Sequence, residues 1–140
     1  MTASGRKFSY KYGYGKIDAY ALVHIAKTWE LVKPQVWMAL PTIEFEDAGM
    51  DGDVMTGGQP IVEGGVRSKT TITKEMLEEN NLEKLEHVTV KVWISHTRRG
   101  DVEVQLISPA GVKSVLGSRR PGDTADTGYP GWTFMTLKHW

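Results

Sequence analysis

The residues of this sequence that could do chemistry are scattered, and none of them forms a motif typical of an active site. A serine nucleophile needs a histidine to take its proton and an acid to orient that histidine. Serines, 4 histidines and 17 acidic residues are present, but no serine lies in a string that activates a nucleophile. We therefore predict no catalytic residue, no cofactor-binding residue and no enzymatic activity for the chain by itself.

A glycine-rich acidic segment is the one place where a metal ion could bind. Asp47, Asp51 and Asp53 follow Glu44 and Glu46, and carboxylates on a flexible loop are the hard oxygen ligands that Ca²⁺ prefers. The spacing lacks the regular aspartate repeat and the final glutamate of a calcium loop. We predict a solvated loop with no metal site, and keep the three aspartates as weak metal candidates.

The tripeptide Arg99-Gly100-Asp101 has the composition of an integrin-binding motif. A tight hairpin turn would display it, so these three residues form a candidate adhesion turn. The structural interpretation is an ordinary exposed turn, in which the glycine supplies a positive φ and the charged neighbours face water. We favour the structural interpretation.

Composition excludes several classes of protein. The 140 residues are enough for one domain with a core, and the formal net charge of zero predicts no nucleic-acid or anionic-membrane surface. The chain has no cysteine, so its core forms without disulfides and the redox compartment is left open. No apolar run reaches the length of a membrane span.

The carboxy-terminal part has the period of antiparallel strands. Apolar residues alternate with polar ones from Val88 to Ile94, then over 102–106 and over 112–116, with short polar turns between. Such alternation is typical of half-buried strands, with the valines and Ile94 facing a core. Three such strands favour an antiparallel sandwich or barrel.

The amino-terminal part has the period of a helix. Apolar residues recur on one face at Leu22, Ile25, Ala26 and Trp29, which predicts a helix over 18–30. Asp18 is placed to cap its start, and the Lys33-Pro34 pair would end it. Because an isolated helix of this length is marginal in water, we expect its apolar stripe to need a partner surface.

The middle of the chain gives weaker signals. We predict a strand over 36–40 that 42–45 extends, a long glycine-rich loop over 47–65 with one weak strand, and an alternating strand over 66–73. Residues 74–81 are expected to form a single helical turn with Met76 and Leu77 facing inward.

A longer string of residues carries a family resemblance. HVTVKVWISHTRRGDVEVQLISPAG resembles the P domain of kexin and furin-like proprotein convertases, with its H-V strand, R-G turn and S-P-x-G strand end. The likeness continues in order through later positions, which are Leu116, Arg120, Asp123, Gly128, Trp132-Thr133-Phe134-Met135 and His139-Trp140.

The amino-terminal segment carries a second resemblance. The string YGYGKIDAYALV, from Tyr12 to Val23, is similar to the start of the last helix of a subtilisin-like catalytic domain. The two resemblances follow the order of domains in a convertase. They imply a domain boundary, with residues 1–33 as the tail of the catalytic domain and residues 34–140 as the P domain.

The resemblance implies a fold and a role. The fold is an all-β jelly-roll β-sandwich of about eight strands, here with one N-terminal α-helix. The role is non-catalytic: the P domain packs on the subtilisin-like catalytic domain, stabilises it and tunes its calcium and pH dependence. The parent serine endopeptidase would use calcium and cleave after dibasic sites in the secretory pathway or outside the cell.

The carboxy-terminal end of the chain departs from the family pattern. The family continues after its His-Trp pair with further strands, so we expect a P domain truncated at its C-terminus, with an unpaired edge beside 131–137 that favours a homodimer.

The alternative function is a free-standing secreted binding module that holds a glycan or receptor through its loops, the Arg-Gly-Asp turn among them.

Overall fold

The computed structural model describes residues 5–51 and 54–138. Within those ranges, the chain forms two α-helices, six β-strands and one 3₁₀ turn over Arg99–Asp101. The helices are α1 (Ala19–Ala26) and α2 (Lys74–Glu79). The strands are β1 (Gly49–Asp51), β2 (Val54–Thr56), β3 (Val88–Ile94), β4 (Val104–Ile107), β5 (Lys113–Gly117) and β6 (Tyr129–Thr136).

The strands pair as three two-stranded antiparallel sheets. Neighbours in sequence form two of them, β1 with β2 and β4 with β5, while β3 pairs with the distant β6. The mostly β character is confirmed, but the described residues hold six strands where about eight were expected. The expected hairpin between β3 and β4 is wrong, because these two strands lie in different sheets.

The β3–β6 ladder orders the carboxy-terminal part of the chain. Val90 lies opposite Phe134 and Val92 opposite Trp132, and then the register shifts so that Trp93 lies opposite Pro130. Gly131 is the extra residue at this bulge, with φ +78. A Cβ there would lie 3.1 Å from the Trp93 indole nitrogen, so both the φ value and the indole favour glycine.

The core lies around the start of β6. Tyr129 has no exposed surface and Val102 is 7% exposed. The Tyr129 ring meets Trp132 and Phe134 edge to face, with centroids 5.2 Å and 5.5 Å away. Gly117 contacts the other side of the same cluster, where a Cβ would meet the Phe134 ring at 3.3 Å. This aromatic core therefore joins β5 to β6.

The predicted amino-terminal helix is confirmed but shorter. Asp18 accepts a hydrogen bond from the Ala21 N–H at 3.0 Å and caps α1 as expected. The helix ends at Ala26, before the predicted residue 30. Its last turn tightens because the Thr28 N–H and hydroxyl both bond to the Ile25 carbonyl, three residues back.

The apolar stripe of α1 contacts little of the described chain. Leu22 and Trp29 are each 61% exposed and Ile25 is 55% exposed. No residue of α1 is buried. Within residues 5–51 and 54–138, neither helix is long and apolar enough to cross a membrane.

The middle of the chain departs from the sequence predictions. Residues 36–45 and 66–73 form no strand, so both strand predictions are wrong. A strand exists only where a second strand satisfies its N–H and C=O groups, and alternation alone does not supply that partner.

The glycine-rich segment 47–65 holds more structure than predicted. Its β1–β2 hairpin pairs Gly49 with Thr56. Gly57, with φ +65, lies so close to Asp47 that a Cβ would be 1.8 Å from the Asp47 carbonyl oxygen. The predicted helical turn is confirmed as α2, where Met76 and Leu77 are half-buried.

Candidate functional site

The most tightly bonded group of side chains centres on the Asp123 carboxylate. Arg99 donates two hydrogen bonds to it, from Nε at 2.8 Å and from Nη2 at 2.9 Å. Arg120 donates a third, from Nη2 at 2.9 Å. Arg120 Nη2 also lies 2.9 Å from the Tyr129 hydroxyl at the core. We call these four residues the Asp123 clamp.

Backbone hydrogen bonds run alongside these side-chain bonds. The Gly100 N–H donates to the Asp123 carbonyl at 3.0 Å, and the Gly100 carbonyl accepts from the Arg120 N–H at 2.8 Å. The Arg99 N–H donates to the Ala125 carbonyl at 2.8 Å. The turn after β3 and the loop after β5 are therefore joined through both backbone and side chains.

Gly100 is required here for a reason that differs from the sequence prediction. Its φ is not among the positive values. A Cβ at this position would lie 2.0 Å from the Arg120 carbonyl oxygen and 2.5 Å from that of Asp123. The residue is a glycine because two backbone segments approach each other closely, so the prediction of a positive φ is wrong.

The clamp has a distinct electrostatic character. Hydrogen bonds from Arg99, and then from Arg120, hold the pKa of Asp123 well below its ordinary value. The hydrogen bond to Tyr129, and then those to Asp123, raise the pKa of Arg120. Both shifts favour the charged forms. Asp123 and Arg120 therefore stay ionised throughout the neutral and mildly acidic range.

The arrangement suits a structural joint better than a reaction centre. The side chains of Arg99 and Asp123 are only 19% and 16% exposed, and each carboxylate oxygen already accepts a hydrogen bond from a guanidinium. A bidentate arginine–carboxylate pair is strong and geometrically specific. The Arg99 guanidinium also lies 4.7 Å from the Trp132 ring centroid, which fixes its position further.

The geometry does not favour the candidate adhesion turn. Asp101 is about half exposed, and its carboxylate lies 3.9 Å from Arg98. Arg99 is instead directed inward to Asp123, and Gly100 is buried. Only one of the three residues therefore faces solvent. Adhesion through this turn stays a prediction.

The weak metal candidates lie apart from the clamp. Asp47 is exposed in the turn before β1, Asp51 is exposed at the end of β1, and Asp53 lies outside the described residues. Over residues 5–51 and 54–138, no three carboxylate or histidine side chains come together in a way that could hold a metal ion.

A second group of contacts joins the amino-terminal segment to β5 and β6. The Tyr10 hydroxyl accepts a hydrogen bond from the Val115 N–H at 3.0 Å and one from Lys138 Nζ at 3.4 Å. The same ammonium lies 5.0 Å from the Tyr10 ring centroid. Phe8 packs edge to face on Tyr10, with centroids 5.5 Å apart. We call this group the Tyr10 latch.

Electrostatics also favour the latch. Burial by itself would raise the pKa of Tyr10, but the hydrogen bonds from the Val115 N–H and from Lys138 together lower it below the ordinary value. A backbone N–H on β5 is satisfied by a side chain more than 100 residues away in sequence. Because Tyr10 is 64% exposed, losing its hydroxyl would leave that N–H to water and would remove the link to β5.

The sequence analysis named three of the four clamp residues but none of their contacts. Arg99, Arg120 and Asp123 appear in the family resemblance, whereas Tyr129 does not. Nothing local predicts that Arg99 joins them across 24 positions. The Tyr10 latch has no sequence signal, because it depends on how distant segments dock.

Comparison with known proteins supplies the family. Residues 85–140 match the family described as the proprotein convertase P-domain. Every residue of the Asp123 clamp falls inside this P-domain region, whereas Tyr10 of the latch precedes it.

Relatives of known name extend the likeness over nearly the whole chain. A dibasic-processing endoprotease of Schizosaccharomyces pombe is 43% identical over 139 residues, which is 99% of this chain and 19% of that protein. Kexin of Saccharomyces cerevisiae is 41% identical over 99% of this chain and 16% of its own length. Human furin is 35% identical over 97% of this chain and 16% of its own length.

The matches also show how small a part of those relatives the chain represents. It spans less than a fifth of the length of each one, and the P-domain is included in that part. The recognition of a P-domain preceded by a further convertase segment is confirmed. Neither the geometry nor the comparisons support the expected homodimer.

Proposed function

We propose that this chain is a non-catalytic part of a kexin-type serine endoprotease, in which the P-domain keeps the subtilisin-like catalytic domain folded. Residues 1–33 would be the tail of the catalytic domain and residues 34–140 the P-domain. The parent enzyme would process proproteins after dibasic sites in the secretory pathway. The names of the relatives and their high identity support this assignment.

The Tyr10 latch carries the proposal. It joins a residue of the proposed catalytic tail to β5 and to the end of β6, both in the P-domain region. The phenol accepts both a backbone N–H and an ammonium, so it ties the amino-terminal segment to two points of the P-domain region. Such a contact fixes the position of the tail on the P-domain.

The exposed apolar stripe of α1 is the proposed contact of the tail with the catalytic domain. Leu22 and Ile25 lie on one face of α1, Trp29 follows three residues after its end, and all three are more than half exposed. We assign this face to the interior of the catalytic domain, since the segment from Tyr12 to Val23 resembles that domain's last helix. The tail would then hold the catalytic domain through α1 and the P-domain through Tyr10.

The jelly-roll sandwich remains part of the proposal. The β3–β6 and β4–β5 sheets are joined by a buried hydrogen bond of 2.8 Å between the hydroxyls of Ser114 and Thr136. We take these two sheets as parts of that sandwich, with the remaining strands ordered only when the catalytic domain is in place. Unpaired strand edges that find partners on docking are a known source of coupled stability.

Tuning of the protease by calcium and pH also belongs to the proposal, as the resemblance implies.

A domain exchange tests the proposal. In the Saccharomyces cerevisiae kexin relative, the matching segment is replaced by this chain, and secreted enzyme is counted by titration with a serine-reactive phosphonate. We expect active enzyme from this chimera and little from a protease that lacks the segment. The 140-residue chain alone should not hydrolyse dibasic peptides above a buffer blank.

A matched pair of variants locates the effect at the latch. Tyr10→Phe keeps the ring and removes the acceptor, so the yield of active chimera should fall. Tyr12→Phe changes a phenol of similar exposure, 68% against 64% for Tyr10, that lies outside the latch, and it should leave the yield unchanged. An equal yield from the segment-deleted protease would overturn the proposed stabilising role.

A further inference from the structure

The sequence itself contains dibasic pairs of the kind that such an endoprotease would recognise. There are three, Arg6-Lys7, Arg98-Arg99 and Arg119-Arg120. We propose that Arg98-Arg99 is a latent processing site, and that the Asp123 clamp conceals it. This inference rests on the proposed dibasic specificity of the parent enzyme, so that the P-domain must hide its own basic pairs.

The scissile bond would be the peptide bond between Arg99 and Gly100. Hydrolysis adds one water across it, leaving a carboxylate on Arg99 and an amine on Gly100, with no other reactant. A processing protease must draw the pair into its cleft in extended form, with both basic side chains available to acidic pockets. The 3₁₀ conformation of Arg99–Asp101 does not offer that form.

Hydrogen bonds occupy both sides of this peptide bond. The Arg99 carbonyl accepts from the Val102 N–H at 3.1 Å, and the Gly100 N–H donates to the Asp123 carbonyl at 3.0 Å. Gly100 is buried, and the Arg99 side chain is bonded twice to Asp123. Even Arg98, which is about half exposed, donates to the Pro121 carbonyl at 2.7 Å. Cleavage therefore requires the clamp to open.

The other two pairs provide contrasts within the same chain. Arg6 and Lys7 are both exposed and serve as the accessible reference. Arg119-Arg120 is followed by Pro121, whose ring removes the N–H and fixes the backbone on the leaving side of the bond. Only the pair at 98–99 combines a glycine on the leaving side with an arginine that the Asp123 clamp holds at the bond to be cut.

Limited proteolysis of the 140-residue chain tests the inference. The probes are the Schizosaccharomyces pombe dibasic-processing endoprotease and trypsin, and the fragments are assigned by intact mass. In the native chain we expect cleavage after Lys7, while the bond after Arg99 stays intact. Asp123→Asn should raise the rate of cleavage after Arg99, relative to that after Lys7, by about tenfold or more, since cleavage follows the population of the opened state.

Two control variants separate opening of the clamp from loss of stability. Asp126→Asn removes an exposed carboxylate three residues away and should leave the ratio unchanged. Ser114→Ala breaks the buried Ser114–Thr136 hydrogen bond, which is remote from Arg99, and should destabilise the domain without a selective gain after Arg99. An equal gain in Ser114→Ala would overturn the inference.

Unfolding of Asp123→Asn and unexpected cleavage patterns would also test the inference. If Asp123→Asn unfolds, shown by equal cleavage after Lys91 within β3, then Asp123→Glu, which keeps the charge and shifts the carboxylate by one methylene, must raise the ratio. Cleavage of the native chain after Arg99 as fast as after Lys7 overturns the inference, and so does cleavage of the opened variant by trypsin alone. Failure of the domain exchange in kexin would leave these ratios unchanged, so the two proposals fail separately.

Discussion

At the scale of single residues, Asp123 does most to connect this chain. Its carboxylate accepts three guanidinium hydrogen bonds, and its backbone carbonyl accepts one from the Gly100 N–H in the facing turn. Two of its partners, Arg99 and Arg120, each follow another arginine in the sequence. The carboxylate therefore neutralises basic side chains that would otherwise repel one another. The same ion pairs make the stability of the domain depend on acid.

We predict that Asp123 accounts for a distinct part of the acid unfolding. Its pKa is lowered on folding, so its contribution to stability is complete above the pKa of an unfolded aspartate, near 3.9. That contribution is lost as the pH falls through the folded value. The urea midpoint of the native chain should therefore decrease as the pH drops below about 4. Asp123→Asn should be less stable at neutral pH, and its urea midpoint should depend less on pH in that acidic range.

The control is Asp126→Asn, whose carboxylate is exposed and forms no ion pair among the described contacts. Below about pH 4, its urea midpoint should decrease just as that of the native chain does. If Asp123→Asn had the same urea midpoints as the native chain at neutral and at acidic pH, the clamp would contribute nothing to folding.

At the scale of elements, β3 and β6 form the longest ladder, although 34 residues separate them in sequence. The alternation predicted for β3 is confirmed: Val88, Val90 and Val92 are half-buried, and Thr89 and Lys91 are exposed. The period of two thus reports the buried face correctly. It does not report the partner strand, since any strand of the same period could pair there.

We predict that Val90→Asp unfolds or severely weakens the ladder. Val90 lies opposite Phe134, and a carboxylate there would lose its water against the ring. The cost should be about 2 kcal/mol or more, measured as a fall in the urea midpoint. Thr89→Asp places the same charge on the exposed face one residue earlier and should cost less than about 1 kcal/mol. Equal losses would mean that the buried face is wrongly assigned.

At the scale of the whole molecule, the buried core lies in the carboxy-terminal part of the chain, whereas no residue of α1 is buried. Tyr129 and Val102 are buried, whereas Leu22, Ile25 and Trp29 of the amino-terminal part face solvent. An amphipathic helix gains most of its stability from packing its apolar face. The exposure of these side chains is the basis for the proposed packing of α1 on the catalytic domain.

We predict that α1 becomes stable only next to that domain. In the 140-residue chain, amides of residues 21–26 should exchange with little protection. In the kexin chimera they should be strongly protected, and Trp29→Ala should reduce both the protection and the yield of active enzyme. Tyr20→Ala, on the opposite side of the helix, should reduce neither. Equal exchange in the chain and the chimera would contradict the assignment of the α1 face.

The sequence by itself determined the local features of this protein. The Asp18 cap, the position of α1, the buried face of β3 and the helical turn at 74–79 follow from interactions between residues a few positions apart. The family could also be read from the order of its motifs, because that order survives without knowledge of contacts. Those predictions needed only spacing and residue type.

Tertiary structure alone decided which distant groups meet. The pairing of β3 with β6, the joining of Arg99 to Asp123 and the docking of Tyr10 on Val115 each connect residues 24 or more positions apart. A periodic pattern states which face of an element is apolar but names no partner for it. For the same reason, alternation at 66–73 predicted a strand that the chain does not form, since a strand requires hydrogen bonds from another segment.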